Sequence, residues 1–420
     1  MVLGYTGRRL SLALAPLLLL VSIAMATPTS ATTGPRPPGQ DAFYRYSGSL
    51  PLREVPPGTV LKARSIRLAF GTTPTPVAAE QLLYRTTGQL GQPTVTVTTV
   101  IQPTHVPGPS RIVEYLSFYD GLGAQCDPSY TLAGGNPGAA MEQETQEEEL
   151  LIVWYLSHGY TVTVPDFEGT HLDWMAGHES GYGALDAVRA TESHLHVPRV
   201  TPVGLSGYSG GAVAADWASE LAPAYAPELH MVGVAEGGIP ANYADMFTYI
   251  NGTTEFSPAI PGVLIGLTRA YGIDLRPYLS PYGLKVVQAE DQVCIASVFG
   301  HYPGLTIQQL MKPQYRDFFQ VPTFARLLND QVMGTAPGHP TVPLFMGVGN
   351  VDGTGDGAMV ARDVEMLAHE YCEQGVPVQF EEYKGASHEE AGAFFEPETD
   401  AFLMARFAGV PFAGNCSSTG

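Results

Sequence analysis

An α/β fold built on a mostly parallel sheet is predicted by two features of this chain. Short β-branched runs alternate with helical stretches, and one of those runs ends in a Gly-Tyr-Ser-Gly-Gly turn that opens another helix. The runs are Val95 to Ile101, Ile112 to Phe118, Thr161 to Val164, Val200 to Leu205, Met231 to Val234, Val342 to Val348 and Val378 to Tyr383. Between them, Glu142 to Leu156 has an acidic first turn, apolar residues at Leu150, Ile152, Val153 and Leu156, and Gly159 placed to end the helix ahead of the next strand. Ala184 to Leu195 leads in the same way into Val200 to Leu205. Repeated helix-to-strand units of this kind predict a central sheet with helices on both faces.

The Gly207 to Gly211 turn is the most specific motif. In a G-x-S-x-G turn the serine sits at a tight strand-to-helix reversal that only glycine neighbours leave room for, and its hydroxyl is exposed. Ser209 is therefore the candidate nucleophile. A surface turn in a glycine-rich chain is the alternative, and the strand before the motif and the small-residue helix after it, Ala212 to Ala218, weigh against that.

Order along the chain selects its partners, because this arrangement presents serine, then acid, then histidine from successive strand ends. Of the 11 histidines, His388 alone follows the last strand, in the Gly385-Ala386-Ser387 loop, whereas His369 falls in a helical run, Ala361 to Tyr371. His388 is the candidate base. The strand ending at Val348 runs into a loop with two aspartates; Asp356, just ahead of the next helix, is preferred as the acid, and Asp352 fits a loop-bracing role. The same loop partly mimics a calcium site, but Thr354 replaces a ligand and a strand, not a helix, precedes it, so no metal is expected. Serine, histidine and acid in this order suit acyl transfer through a covalent intermediate whose oxyanion needs donors. The Gly210 N-H is one. The second is expected from the loop Ser117 to Gly123, at Asp120 or Gly121.

Residues 1-26 read as an export signal, with Arg8 and Arg9, an apolar stretch from Leu10 to Ala24, and an Ala24-Met25-Ala26 cleavage pattern. Residues 27-40 read as a flexible leader rich in proline, glycine and threonine. The core is expected at 41-240 and 341-420. Between them, at 241-340, the alternation gives way to aromatic and proline-rich helical fragments such as Phe256 to Tyr271 and Tyr315 to Leu328, read as an inserted helical cap or lid. Export predicts two disulfides from Cys126, Cys294, Cys372 and Cys416, with three pairings open. Tethering the tail through Cys372 and Cys416 is favoured by position, which leaves Cys126 with Cys294. A net charge of -20 disfavours nucleic acid and anionic surfaces, and nothing implies a cofactor or an obligate protein partner.

With these loops assembled, the chain resembles the secretory lipase family of the α/β-hydrolase superfamily. The resemblance is strongest at Ser117 to Tyr130, Gly207 to Gly211 and Asp356 to His388. It implies nucleophile Ser209, acid Asp356, base His388, oxyanion donors Asp120 and Gly210, and the pairs Cys126 with Cys294 and Cys372 with Cys416. In the acid loop the chain departs from the family, carrying Asp352 four residues before Asp356 where the family often has histidine. The expectation is a secreted lipase that cleaves acylglycerol esters with no cofactor and touches lipid interfaces transiently. A carboxylesterase for shorter acyl esters, or an acyltransferase with the same triad, are the alternatives.

Overall fold

The computed structural model describes residues 34-105, 108-135 and 138-416. The export signal and the start of the leader lie outside the described residues. From residue 34 the leader includes a helical turn, Pro38–Gln40, with Pro38 buried.

Nine strands among the described residues form one sheet in the order β1-β2-β3-β5-β4-β6-β7-β8-β9. They are β1 (Val60–Phe70), β2 (Thr73–Thr87), β3 (Pro93–Ile101), β4 (Ile112–Leu116), β5 (Thr161–Pro165), β6 (Pro202–Tyr208), β7 (His230–Gly237), β8 (Leu344–Asn350) and β9 (Val378–Lys384). From β5 through β4 to β9 all neighbours are parallel, while β1, β2 and β3 pair antiparallel and β3 joins β5 antiparallel. The central strands are buried on both faces, so apart from Glu114 in β4 they read as apolar or small runs.

The hairpin of β1 and β2 is not visible in the apolar pattern of the sequence. Lys62, Arg64 and Arg67 interrupt β1, and Pro74 and Pro76 interrupt β2. Both prolines lie where β2 has no partner on its second side, since its pairing with β3 begins only at Glu80.

Helices Gly177–Leu195, Gly210–Tyr225 and Ala361–Glu373 cover one face of the sheet, and Ala139–Ser157 and His388–Phe407 cover the other. The last of these comes unusually close. Phe395 stacks on Phe345 at 5.2 Å and lies against Gly237 and Gly347, where a side chain would collide with its ring. Those two glycines thus set the height of the helix above the sheet.

Between β7 and β8 the chain forms the helices Tyr243–Ile250, Ala259–Ala270, Pro281–Glu290 and Pro322–Asn329, joined by shorter turns. The single helix expected at Tyr315 to Leu328 is instead two short turns, Pro313–Tyr315 and Phe318–Gln320, followed by a helix from Pro322. Proline lacks an N-H and pushes the preceding Val321 into an extended conformation, so a helix can start there but cannot pass through. Many of the aromatics in this insertion pack on each other, as Phe318 does on Phe324 at 4.5 Å. No helix of the described residues is long and apolar enough to cross a membrane.

Cys126 is bonded to Cys294, joining the loop after β4 to the insertion, and Cys372 to Cys416. The C-terminal segment runs beside the outer strand of the sheet. Asn415 N-H donates to the Val378 carbonyl, and its side chain accepts from Phe380 N-H and donates to the Phe380 carbonyl, each at 2.8 Å.

Behind the sheet, the Tyr371 hydroxyl bridges Asp216 Oδ1 at 2.8 Å and Glu220 Oε1 at 2.9 Å. Burial, with the charges of Glu236 and Glu220 beside it, pushes the Asp216 carboxyl well above the usual carboxylate range. Glu220 in turn accepts the N-H groups of Gly334 and Ala336 at the end of the insertion. Tyr371→Phe leaves two buried carboxyl groups without their shared partner, an expected cost of about 1-3 kcal/mol. Thermal unfolding, followed by circular dichroism, should therefore occur several degrees lower than in the wild type.

Candidate active site

β6 ends at Tyr208, and the chain reverses at Ser209 into the helix Gly210–Tyr225. Ser209 has φ 53° and ψ -117°, in the left-handed half of conformational space that a serine adopts only under constraint. The constraint is visible in its neighbours. A Cβ at Gly207 would overlap the Gly211 carbonyl oxygen, and one at Gly211 would overlap that of Leu116. Both obstacles are backbone and cannot swing aside. Ser209 N-H donates to the Gly237 carbonyl at 2.8 Å, which ties the turn to β7.

His388 is the first residue of the helix that Phe395 holds against the sheet. Ser387 caps that helix by accepting Glu390 N-H, while the Glu390 side chain accepts Ser387 N-H. The backbone of His388 is clamped on both sides: its N-H donates to the Asp356 carbonyl at 2.9 Å, and its carbonyl accepts the Tyr208 hydroxyl at 2.6 Å. The ring therefore has little freedom. Its Nε2 lies 2.9 Å from Ser209 Oγ and its Nδ1 2.8 Å from Asp356 Oδ2.

Asp356 is fully buried, and its other oxygen accepts the N-H groups of Ala358 and Met359 at 2.9 and 2.6 Å. A carboxylate held this way can accept only from Nδ1, which leaves Nε2 as acceptor for the serine hydroxyl. Burial works against a charged His388, but the charge and hydrogen bond of Asp356, with Glu389 and Asp120 adding, outweigh it and raise its pKa above the ordinary histidine value. Asp352 stands apart, accepting Thr354 and Gly355 N-H and the Tyr249 hydroxyl, and so braces the loop.

Asp120 lies beside the turn, its carboxyl packed so closely on Gly210 that a Cβ there would overlap it. The Asp120 N-H has no partner among the described residues, whereas the Gly121 N-H is taken by Glu168 at 3.0 Å. This favours Asp120 over Gly121 as the amide free to meet a substrate.

Ser209, His388 and Asp120 line a cleft of about 630 Å³. One wall is apolar and comes from the insertion, with Met246, Ile250, Phe256, Val263 and Phe299; Trp174 and Met175 also line it. The opposite wall comes from the helices Ala139–Ser157 and His388–Phe407 and brings Gln143, Glu144, Glu147, Leu150, Glu389 and Glu396. Among the described residues no group of three or more histidine, cysteine or acidic side chains is arranged to hold a metal ion.

Several of these residues carry no signal in the sequence. Trp174 lies in an irregular segment, and Glu144, Glu148 and Glu396 belong to helical stretches whose acids read as a solvated face. Tyr208 is the variable position of its own motif.

The buried acids near the cleft share one tendency. Burial raises Asp120 to about 7, partly offset by the polar side chains of Trp174 and Glu168 nearby; it raises Glu148 to about 7, and Glu396 to about 8 with help from Asp400 and Glu148. In an unfolded chain such groups titrate near about 4. The folded protein thus binds protons more tightly, and the stability this provides is complete below about pH 4 and lost as pH rises through about 7-8. Asp41, held low by the Phe43 N-H and Arg64 against its burial, and Glu228, held low by Arg189, act in the opposite sense only at lower pH. The melting temperature should be several degrees higher at pH 5 than at pH 8.5, as followed by circular dichroism; a flat or rising profile would contradict the burial of these acids.

Comparison with known proteins agrees with this architecture. The secretory lipase family profile matches residues 137-415. The chain is 31% identical to Lipase A of Arthroderma benhamiae over 93% of this chain and 84% of that protein. It is also 31% identical, over 89% of this chain and 83% of the other, to a Mycobacterium tuberculosis protein named a probable inactive lipase. In three dimensions it is similar to Candida antarctica lipase A in its closed state, with a TM-score of 0.82 and 27% identity over 91% of this chain and 90% of that one. Fold, family profile and relatives converge: the chain belongs to the secretory lipase family, carboxylic ester hydrolases of the α/β-hydrolase fold.

Proposed function

We propose that the chain is a secreted lipase that hydrolyses acylglycerol esters through Ser209, His388 and Asp356. The observation that carries this reading is the pair of hydrogen bonds at His388, 2.9 Å to Ser209 and 2.8 Å to Asp356. That observation matters because one relative bears the name of an inactive lipase, so family membership alone does not decide activity.

His388 Nε2 takes the Ser209 proton as Oγ attacks the ester carbonyl carbon, and Asp356 stabilises the imidazolium so formed. The carbonyl oxygen, now anionic, meets the N-H groups of Gly210 and Asp120. Collapse expels the alcohol with a proton returned by His388. Water, deprotonated by the same nitrogen, then releases the fatty acid and restores Ser209. The helical insertion of residues 241-340 acts as the lid, its apolar wall taking the acyl chain. The export signal at residues 1-26 and the two disulfides support action outside the cell.

Turnover of emulsified long-chain triacylglycerol is the direct test, set beside a dissolved short-chain ester. Activity confined to the dissolved ester would replace the lipase reading with that of a carboxylesterase. Ser209→Ala should lower kcat at least about 1,000-fold on either substrate. Because the base must be neutral to accept a proton and its pKa is raised, the acid limb of kcat/KM should fall above the ordinary histidine value. In Asp356→Asn the raising charge is gone and burial remains, so that limb should move to lower pH as kcat falls about 100- to 10,000-fold.

A further inference from the structure

The loop after β4 is held from three sides. On one, Glu148 accepts the Ser117 hydroxyl at 2.8 Å and the Phe118 N-H at 3.0 Å. On another, Glu168 accepts the Gly121 N-H at 3.0 Å, and its own N-H donates to the Tyr119 hydroxyl at 2.9 Å. From the insertion, Ile295 N-H donates to the Asp120 carbonyl at 2.9 Å, and Leu122 N-H to the Val293 carbonyl at 2.8 Å. The peptide planes 117-118 and 120-121 are thereby fixed, the second at both its carbonyl and its N-H. The plane between Tyr119 and Asp120, which carries the Asp120 N-H, is suspended between them. Its direction follows from theirs.

We propose that Glu148 and Glu168 are positioning residues that aim the Asp120 amide at the carbonyl oxygen of the reacting ester. Both are buried, neither lines the cleft, and their bonds to the loop leave the N-H of Asp120, which lines the cleft beside Gly210, without a partner among the described residues. The proposal rests on the reading of Asp120 as an oxyanion donor. Buried carboxyl groups in a hydrolase core are costly unless hydrogen-bonded, and here the loop supplies those bonds while taking its shape from them. What each glutamate contributes is the place of an oxygen, at the end of a side chain of fixed length.

Length and charge are separable by substitution. Glu148→Asp and Glu168→Asp keep an acid and withdraw it by one methylene, whereas Glu148→Gln and Glu168→Gln keep an acceptor oxygen in place without the charge. On a dissolved short-chain ester, each aspartate variant should lose about 10- to 100-fold in kcat with KM changed less than about threefold, because an oxyanion donor acts mainly in the transition state. Each glutamine variant should stay within about threefold of the wild type. Folding is checked by near-ultraviolet circular dichroism, and kcat is taken per folded molecule. Aspartate variants with full kcat, or glutamine variants as impaired as the aspartate ones, would overturn the proposal. If an aspartate variant does not fold, Ser117→Ala, which removes one bond to Glu148, decides: a drop in kcat at constant KM supports the assignment and full kcat overturns it. A wild type that neither hydrolyses the ester nor reacts with a fluorophosphonate would sink the hydrolase reading itself, a result distinct from any of these.

Discussion

A serine held at φ 53° in the seam between a strand and a helix is the constraint around which the molecule is arranged. The turn closes because Gly207 and Gly211 let carbonyl oxygens approach where side chains would stand. Everything else in the site comes to this hydroxyl from elsewhere. The helix that begins at His388 is brought down by Phe395 resting in a gap left by Gly237 and Gly347; its first residue is fixed at the backbone by Tyr208 and Asp356 and at the ring by Asp356 and Ser209. Tyr208, one residue before the serine, thus fixes the base as well as preceding the nucleophile. The two halves of the site are registered to each other at the His388 main chain, by the Asp356 carbonyl on its N-H and the Tyr208 hydroxyl on its carbonyl.

Buried acid is the second theme. Glu148, Glu168, Asp216, Glu236 and Glu396 lie within or behind the walls of the cleft, each pushed upward in pKa by burial. An acid kept protonated is a neutral hydrogen-bonding group, so the protein gains polar scaffolding without the full cost of isolated charge. The formal charge of -20 therefore overstates what the folded molecule carries at neutral pH.

Much of this was legible in the sequence, and the reasons for the rest are physical. The parallel strands are buried on both faces and so appear as apolar runs, and chain order leaves few histidines and acids able to follow Ser209. Ser209, His388 and Asp356 were singled out that way, and Ser209 and Asp356 each lie within hydrogen-bonding distance of the His388 ring. The β1-β2 hairpin escaped because its charged and proline residues lie at an edge where the apolar alternation fails. Glu148 and Glu168 escaped because a glutamate in an acid-rich helix, or after a strand, looks like any solvated side chain until tertiary structure buries it. The broken helix before Pro322 shows the converse: Tyr315 to Leu328 read as one helical stretch, and the proline within it prevented that.

The segment around Asn415 lies along β9, the last strand of a sheet that would otherwise finish in a row of unmatched amides and carbonyls. Such a row recruits whatever extended chain it meets, including its own copies. By occupying it with Asn415 and anchoring that residue's neighbour to Cys372, the fold seals its own border. The residues around Asn415 lie away from Ser209 and His388, yet they cover backbone groups through which two copies of the sheet could pair side by side.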